Sequence, residues 1–392
     1  MYSDVMRFLR CRIVLVAVVL ACAGCASRPA PLLGAMQSPP AAGGGGAGAE
    51  AAEAIGSTRN SVVAFAMPAG QRVPLTFLTG DVSEEELAEW KKAAPNVNIV
   101  AGLDRQSALT HAGEAQAMDV RVLSPELLAK APKLVWVAAL SAGVDRYMSM
   151  KPLVENDRIV LTNMRAVHGP AIADHAFGML LVLTRNLEYY RDSQESGQWQ
   201  ENPPPTPSTS LHGKTMLVVG IGGIGSEIAQ RAHGFGMRVI ATRRSETPAP
   251  DYVERVGKPQ DLLAMLPEAD VVAVCVPLTP ETRGVFNEAA FKAMKQGAHL
   301  INIARGQVVE TDALLAALKS GHLAGACLDV TDPEPLPVDS PLWKMKNVVI
   351  TPHVAADAEV TDQRRRTLML ENMRRFGAGE PLLNVVNKKA GY

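Results

Sequence analysis

The sequence has few cysteines and no paired cysteine motif. It contains five in 392 residues, three of them within the first 25. The other two, Cys275 and Cys327, stand singly inside apolar runs, where a free cysteine packs as a small core residue. Because there is neither a CxxC nor a Cys/His ligand spacing, we expect no disulfide framework and no metal site.

The sequence also lacks an excess of charge of either sign. Lys and Arg total 39 against 40 Asp and Glu, so no basic surplus is available to neutralise phosphates, and nucleic-acid binding is not expected. The Arg364-Arg365-Arg366 run is interpreted as a solvated helix face. With 47% apolar and 20% charged residues, the composition is that of a globular protein long enough for two domains.

An apolar run near the N-terminus is too short to cross a membrane as a helix. It covers 13–23 after three arginines, as in the hydrophobic part of a secretory signal. Ala23-Gly24-Cys25 resembles the end of a bacterial lipoprotein signal, although Cys22 stands where such signals usually have Leu. We predict a signal-like or lipoprotein-like leader over 1–26, with a lipid on Cys25 or Cys22 as the only membrane attachment. A downstream translation start, for instance at Met67, is the alternative.

Residues 27–69 are expected to form a disordered linker. They are rich in Pro, Ala and Gly, and such a composition buries too little apolar surface to offset the entropy of ordering the chain.

Beyond residue 70, strand-like and helical runs alternate, which predicts parallel sheets built from βαβ units. We expect a first series of strands, then one long helix over 172–193, then a second series that forms a doubly wound sheet. A last helix over 362–379 could return to the first domain. The expected strands of the first series lie at 73–80, 96–102, 119–123 and 133–140, and those of the second at 215–220, 237–242, 270–276, 298–304, 325–330 and 347–351.

The strongest local motif is a glycine-rich turn that follows a predicted strand and opens a helix. Its first glycine permits a tight turn, its second lets the backbone approach a pyrophosphate, and its third allows close packing of helix on strand. In this strand–turn–helix setting the motif predicts dinucleotide binding. The turn consists of Gly220, Ile221, Gly222, Gly223, Ile224 and Gly225.

No acid follows the second strand of this unit, where an NAD-binding protein usually carries Asp or Glu for the ribose hydroxyls. The strand runs instead into Arg243 and Arg244, whose guanidinium groups suit a 2′-phosphate. We therefore expect NADP(H) to be preferred, with NAD(H) possible. Solvated surface arginines are the alternative interpretation.

Three further residues form a candidate catalytic set: Arg305, Glu334 and His353. In a doubly wound sheet, segments that follow strands converge on one crevice. Reducing a 2-keto acid needs a cation for the carboxylate and ketone, a proton donor active near neutral pH, and a carboxylate that orients the imidazole. Each residue alone has an ordinary structural explanation, but together with the glycine turn they predict a dehydrogenase of small 2-hydroxy acids.

These residues resemble the D-isomer-specific 2-hydroxyacid dehydrogenase family over about 70–390. The similar stretches are LSAGVDR (140–146), GIGGIG (220–225), VPLTPETRG (276–284), NIARGQVV (302–309), GACLDV with EPLP (325–337), TPHVAA (351–356) and PLLNVVN (381–387).

The resemblance implies a role for each residue of the site. Arg305 would bind the substrate carboxylate and carbonyl, His353 and Glu334 would form the acid–base pair, and the backbone amides of Ala142 and Gly143 would hold the substrate. Asp329 would lie near the nicotinamide carboxamide. The expected cofactor-binding residues are Gly220, Gly222, Gly223, Ile224, Gly225, Arg243, Arg244, Pro277, Thr279, Ala304 and Asp329.

The resemblance also implies the architecture. A flavodoxin-like substrate domain at 70–168, completed by 357–392, would flank a Rossmann dinucleotide-binding domain at 169–356. A homodimer would be joined through the cofactor domain, with the 172–193 helix involved.

The function implied is reduction of a glyoxylate-like or hydroxypyruvate-like 2-keto acid to the D-2-hydroxy acid. Glu334 disfavours formate oxidation, because formate dehydrogenases that resemble this family carry an amide beside the catalytic histidine. The alternative is a non-catalytic member of the same fold that binds a nucleotide or a partner. The chemistry suits the cytoplasm, whereas the leader suggests the cell envelope.

Overall fold

Two parallel β-sheets organise residues 75–392, the part of the chain that the computed structural model describes. The leader predicted over 1–26 and the linker predicted over 27–69 lie outside the described residues. The first sheet comprises β1 (Leu75–Leu78), β2 (Val97–Val100), β3 (Ala117–Asp119), β4 (Trp136–Ala138) and β5 (Val160–Thr162). The second comprises β6 (Thr215–Val219), β7 (Arg238–Thr242), β8 (Arg255–Gly257), β9 (Val271–Val274), β10 (Ala298–Asn302), β11 (Leu323–Leu328) and β12 (Val348–Ile350).

Helices connect most of these strands. They are α1 (Glu84–Ala93), α2 (Pro125–Lys130), α3 (Lys151–Val154), α4 (Gly169–Thr184), α5 (Leu187–Glu195), α6 (Gly223–Gly234), α7 (Leu262–Met265), α8 (Glu288–Ala293), α9 (Thr311–Lys319) and α10 (Glu359–Ala378). The start of α1 agrees with its sequence, since the Ser83 hydroxyl caps it and three acids occupy its first turn.

The strand order places a crevice in each sheet. The first sheet runs β2-β1-β3-β4-β5, and the second runs β12-β11-β10-β9-β6-β7-β8. In the second, the chain leaves β6 toward β7 and β8 and then crosses back to β9. The carboxyl ends of β6 and β9 therefore border the switch point at which doubly wound sheets bind ligands. The α/β fold of two parallel sheets expected from the sequence is confirmed.

Each sheet is buried on both faces. Leu217 and Val219 of β6 belong to one apolar cluster, whereas Met216 and Val218 belong to another. Because successive side chains of a strand point to opposite faces, these clusters lie on the two sides of the second sheet. The first sheet has the same arrangement of two clusters.

The last helix returns to the first sheet. Phe376 of α10 packs against Trp136 of β4, with ring centroids 5.2 Å apart, and three other apolar residues of the helix join the same buried cluster. Arg366 pairs with Glu85 and Glu89 of α1 at 2.8 and 2.7 Å. The end of the chain thus packs into the core of the sheet that residues 75–162 form.

Interpreting the Arg364–Arg366 run as a solvated face was wrong. All three side chains are only half-exposed, and Arg364 donates to the Ala166 carbonyl at 3.0 Å. Arg365 pairs with Asp362 on its own helix. Charge pairing and packing against α1 and the 164–168 segment, rather than solvation, account for the run.

The single helix predicted over 172–193 was also wrong. The segment forms α4 and α5, which are separated at Asn186 in the left-handed conformation, with φ 51°. The Asn186 amide donates to the Thr206 carbonyl, and its oxygen accepts from the Thr206 hydroxyl. Asparagine tolerates this conformation and competes with the helix ladder through such bonds, which explains the break.

The strand predicted at 119–123 was misplaced, because β3 ends at Asp119. The Asp119 carboxylate is buried, accepts from the Thr79 hydroxyl at 2.5 Å and from the Arg121 amide at 2.9 Å, and so turns the chain out of the sheet. The three-residue strands β5 and β8 were not predicted, since they are too short to show a clear alternation.

Two histidines, the buried His168 and the half-buried His299, predict how stability depends on pH. Burial, with Arg365 nearby, lowers the pKa of His168 to about 4, and burial lowers the pKa of His299 to about 4. Both are neutral when folded, but both titrate near pH 6.5 when unfolded. Their stabilisation is therefore complete above pH 6.5 and is lost as the pH falls toward 4. From pH 7 to 5 we expect each to cost at most about 2 kcal/mol.

Urea midpoints at pH 7 and 5 measure this loss. The His299→Gln variant lacks one titrating group, so its midpoint should fall less over the same interval. Equal falls in the variant and the parent would contradict the assignment of His299.

Candidate active site

The glycine turn lies between β6 and α6 and fits a dinucleotide pyrophosphate. Gly220 has φ 98°, and a Cβ there would come within 2.8 Å of Val276 Cγ1. A Cβ on Gly225 would lie 2.3 Å from the Gly220 carbonyl oxygen, whereas one on Gly222 would meet nothing within 4 Å. The turn is therefore tight against the protein and open at Gly222, beside the N-terminus of α6, where backbone amides and the helix dipole favour an anion.

The turn also presses on the segment that joins the two sheets. A Cβ on Gly223 would lie 2.9 Å from the Cα of Ala166. Ile224 is half-buried and packs against the apolar cluster between α6 and the sheet. Gly223 and Ile224 thus hold the turn in place, and Gly222 is the position at which a ligand can approach the backbone.

Arg243 and Arg244, which follow β7, differ in their contacts and in their exposure. The Arg243 guanidinium donates to the carbonyls of Ile221 at 3.0 Å and Pro248 at 3.1 Å, and also to that of Thr247. It braces the glycine turn. Arg244 lies beyond the carboxyl end of β7 and is the more exposed member of the pair.

The loop after β9 closes the other side of this crevice. The Thr282 hydroxyl donates to the Pro277 carbonyl at 2.7 Å and accepts from the Thr279 amide at 2.8 Å. Thr279 is buried. These hydrogen bonds hold Pro277 and Thr279 near the glycine turn, since a Cβ on Gly220 would lie 2.8 Å from Cγ1 of the neighbouring Val276.

Arg305 follows β10 and reaches across to the first domain. The buried Asn302 braces its loop by accepting from the Ala304 amide and donating to the Arg305 carbonyl, both at 3.1 Å. Arg305 Nη1 donates to the Ala304 carbonyl at 2.7 Å, and Nε lies 3.1 Å from Asp145 Oδ1. The structure thus joins Arg305 to the 140–146 loop.

The same loop carries Ala142 and Gly143. The Asn163 amide donates to the Ala142 carbonyl and the Ser141 hydroxyl to that of Gly143, both at 2.8 Å. A Cβ on Gly143 would lie only 1.8 Å from Arg305 Nη2. The structure therefore brings together the two backbone positions and the guanidinium that the sequence linked.

Asp145 was missed from the sequence. It lies two residues after Gly143, and its carboxylate orients the Arg305 guanidinium. The only hint in the sequence was the presence of an acidic residue inside the LSAGVDR stretch. The contact itself joins residues 160 positions apart, which no local sequence pattern shows.

Glu334 and His353 form a hydrogen-bonded pair. His353 Nδ1 lies 2.7 Å from Glu334 Oε1, and their side chains are 45% and 40% exposed. Glu334 follows β11, which pairs with β10, and His353 follows β12, which pairs with β11. The three predicted catalytic residues thus follow three adjacent parallel strands.

Asp329 holds the segment that carries His353. Its buried carboxylate accepts from the Thr351 hydroxyl at 2.7 Å and from the amides of Val354 at 2.9 Å and Ala355 at 3.1 Å. The His353 amide donates to the Asp329 carbonyl at 2.8 Å, and His353 has φ 59°. Asp329 therefore positions the imidazole, a task that the sequence did not predict.

Gly306 lets the Arg305 and Glu334 segments pack backbone to backbone. A Cβ there would lie 1.9 Å from the Thr331 carbonyl oxygen. The Thr311 hydroxyl, which donates to the Asp332 carbonyl at 2.9 Å, ties the two segments together again. The absence of a side chain at Gly306 therefore allows these two segments to lie in contact.

Over residues 75–392, no group of three or more His, Cys, Asp or Glu is arranged to hold a metal ion. Within the same range, no helix has the length and apolar character to cross a membrane. Cys275 and Cys327 are free, and burial raises the pKa of both thiols.

Gly143 offers a sharp test of the Arg305 geometry. In Gly143→Ala the new methyl group would displace Nη2, because the flexible end of Arg305 yields before the backbone does. We expect kcat/KM to fall about 10- to 100-fold for reduction of a 2-keto acid, with the melting temperature nearly unchanged. Gly113→Ala is the matched control, because a Cβ there meets nothing within 4 Å. Parental activity in Gly143→Ala would contradict the geometry.

Proteins of known class resemble this chain over both sheets. A family model described as D-isomer specific 2-hydroxyacid dehydrogenase, NAD binding domain, matches residues 177–355. The glyoxylate reductase of Thermococcus litoralis is 34% identical over 332 residues, which cover 80% of this chain and 97% of that protein.

Two solved structures are similar over nearly their whole length. The D-isomer specific 2-hydroxyacid dehydrogenase of Xanthobacter autotrophicus Py2, in complex with NADPH and MES, is 30% identical with a TM-score of 0.68, covering 82% of this chain and 100% of that one. The NADPH-dependent glyoxylate/hydroxypyruvate reductase of Sinorhizobium meliloti, in complex with NADP and sulfate, is 28% identical with a TM-score of 0.66, covering 81% and 100%.

The class of this protein is therefore that of the NAD(P)-dependent dehydrogenases. The chain belongs to the D-isomer-specific 2-hydroxyacid dehydrogenase family. The family and enzyme class expected from the sequence are confirmed.

Proposed function

We propose that the protein reduces a small 2-keto acid, such as glyoxylate or hydroxypyruvate, to the D-2-hydroxy acid and prefers NADPH to NADH. The observation that carries this proposal is the placement of Arg305, Glu334 and His353 after three adjacent strands, with the last two hydrogen-bonded. The similarity to the glyoxylate reductase of Thermococcus litoralis and to the glyoxylate/hydroxypyruvate reductase of Sinorhizobium meliloti supports the same substrate class.

Arg305 is the substrate anchor in this proposal. A guanidinium binds a carboxylate through two parallel hydrogen bonds and can polarise the adjacent ketone. Asp145 holds Nε, so the group keeps a fixed orientation, and the closeness of Gly143 to Nη2 supports a role for the backbone amides of Ala142 and Gly143 at the same site. Ala142 and Gly143 then hold the other side of the substrate.

His353 is the proton donor. NADPH, when bound, supplies the hydride to the carbonyl carbon. His353 starts as the imidazolium and gives its Nε2 proton to the carbonyl oxygen, so the ketone becomes a hydroxyl and the imidazole becomes neutral. Glu334 accepts a hydrogen bond from the Nδ1 proton, which keeps the ring oriented with Nε2 toward the substrate.

Turnover by the full-length protein tests the proposal. Loss of NADPH absorbance is expected with glyoxylate, hydroxypyruvate or a larger 2-keto acid. Chiral products, such as the glycerate formed from hydroxypyruvate, should have the D configuration, whereas the glycolate formed from glyoxylate is achiral. Formate with NADP⁺ should give no reduction, because Glu334 replaces the amide expected of a formate dehydrogenase. No absorbance loss across a panel of 2-keto acids would reject the proposal.

The cofactor preference gives a separate prediction. Arg244 is exposed after β7 and no acid ends that strand. A charge-assisted contact with the 2′-phosphate is worth about 1.5–3 kcal/mol. We therefore expect kcat/KM to be about 10- to 100-fold higher with NADPH than with NADH. Steady-state kinetics at saturating keto acid measure the ratio, and a higher value for NADH would show that the interpretation of Arg244 is wrong.

A homodimer is the assembly that we propose. Large apolar side chains remain exposed on α5, after it, and at the end of α6, among them Tyr190, Trp199 and Phe235. Such side chains on the cofactor domain are suited to burial against a second copy. Light scattering of the purified protein measures the mass.

The lipid expected on Cys25 or Cys22 stays a prediction, which mass spectrometry of the native N-terminus tests.

A further inference from the structure

A short segment at 387–392 extends from the first domain to the cofactor crevice. Lys388 Nζ anchors it by donating to three carbonyl oxygens, those of Leu153 at 3.1 Å, Asn156 at 2.6 Å and Ile159 at 2.9 Å. The Asn387 amide donates to the Tyr392 carbonyl at 3.0 Å and closes the segment into a turn. Because these bonds tie it to the end of α3 and to the loop before β5, the segment is held in a defined place.

The far end of the segment reaches the cofactor domain. The Tyr392 ring lies against Arg244, with the guanidinium carbon 4.3 Å from the ring centroid. A Cβ on Gly391 would lie 3.9 Å from Thr279 Cγ2. The segment therefore touches both sides of the crevice at the point where Arg244 and the loop after β9 approach each other.

Stacking leaves the donors of Arg244 available. A ring attracts the face of a guanidinium, whereas a phosphate is bound by the N–H groups along its edge. An exposed arginine otherwise samples many rotamers, and ordering it costs conformational entropy at each binding event. A ring that already fixes one face lowers this cost for a ligand that binds the edge.

The Glu281 carboxylate lies near Arg244 and could draw the guanidinium out of the orientation that the ring imposes. A hydrogen bond from the Thr279 hydroxyl, together with the charge of Arg244, keeps the pKa of Glu281 below its usual range. Glu281 therefore offers an ionised competitor for the Arg244 guanidinium. Stacking on Tyr392 opposes movement of the guanidinium away from its place in the crevice.

We infer that Tyr392 is a specificity-determining residue, whose ring fixes Arg244 so that its edge binds the 2′-phosphate of the phosphorylated cofactor. The inference rests on the proposed preference for NADP(H). Tyr392 acts through Arg244 and is a positioning residue rather than a catalytic one. Its effect should appear with nucleotides that carry a 2′-phosphate and not with those that lack it.

The test uses 2′,5′-ADP and 5′-AMP as probes, with binding to the full-length protein measured by calorimetry. In Tyr392→Leu we expect the Kd for 2′,5′-ADP to rise about 3- to 10-fold, and that for 5′-AMP to change less than about twofold. Tyr392→Phe keeps the ring and should bind both nucleotides like the parent, which also controls for folding. In an Arg244→Gln background, Tyr392→Leu should have no further effect.

Three results would overturn the inference: unchanged binding of 2′,5′-ADP in Tyr392→Leu, equal weakening of both nucleotides, or an undiminished effect of the substitution in the Arg244→Gln background. Keto-acid turnover is measured separately. A protein that shows the expected nucleotide dependence but reduces no 2-keto acid contradicts the proposed function alone. If Tyr392→Leu changes neither the rate of reduction with NADPH nor the binding of 2′,5′-ADP, only the role of Tyr392 is contradicted, and the proposed function stands.

Discussion

Replacing His353 with asparagine should lower kcat for 2-keto acid reduction by about 10²- to 10⁴-fold, the range that general acid catalysis contributes. Asparagine keeps a polar group next to Glu334 but has no proton to transfer at Nε2. Because Asp329 holds the backbone of this segment through several bonds, the fold around residue 353 should survive the change. Binding of NADPH should therefore stay close to parental.

Single-turnover and steady-state kinetics on the purified variant measure the loss. His212→Asn provides the matched control, because His212 is exposed and lies on the loop that precedes β6. If His353→Asn keeps a third or more of the parental kcat, His353 is not the proton donor.

Replacing Arg305 with alanine should lower kcat/KM about as much as the His353 substitution lowers kcat, and it should also raise KM. The guanidinium is proposed to hold both the carboxylate and the ketone, so KM should rise and kcat should fall. Removing one partner of a desolvated charge pair costs about 3–5 kcal/mol, which corresponds to about 10²- to 10⁴-fold in kcat/KM. Arg305→Lys should recover part of the loss, since it restores the charge without the planar fork.

The control for Arg305 is Arg158→Ala, an exposed arginine of the first domain. Activity of Arg305→Ala equal to the parent on any accepted 2-keto acid would show that the site has been assigned to the wrong residue. The Asp145 contact adds a structural consequence, because its loss in Arg305→Ala removes a bond between the 140–146 loop and the cofactor domain.

The glycine turn and the three candidate catalytic residues could be found from the sequence because each belongs to a local pattern. A tight turn after a strand favours glycine at Gly220, which has φ 98°, and at Gly225, where a Cβ would lie 2.3 Å from the Gly220 carbonyl oxygen. The positions of most strands along the chain followed from the alternation of apolar runs, whereas their order within each sheet came from the structure. The short strands β5 and β8, the true position of β3 and the break at Asn186 were not predicted, because their signals are one to three residues long.

The partners of these residues were decided by the tertiary structure. Arg243 and Arg244 are adjacent and chemically identical, yet Arg243 braces the backbone while Arg244 stacks on Tyr392. Asp145 meets Arg305 only because two sheets face each other across a crevice. The sequence by itself determined the fold class, the dinucleotide turn and the residue types of the site, because steric and hydrogen-bonding rules act over a few neighbouring residues. Which side chain holds which depends on packing between distant segments, and only the folded chain brings those segments together.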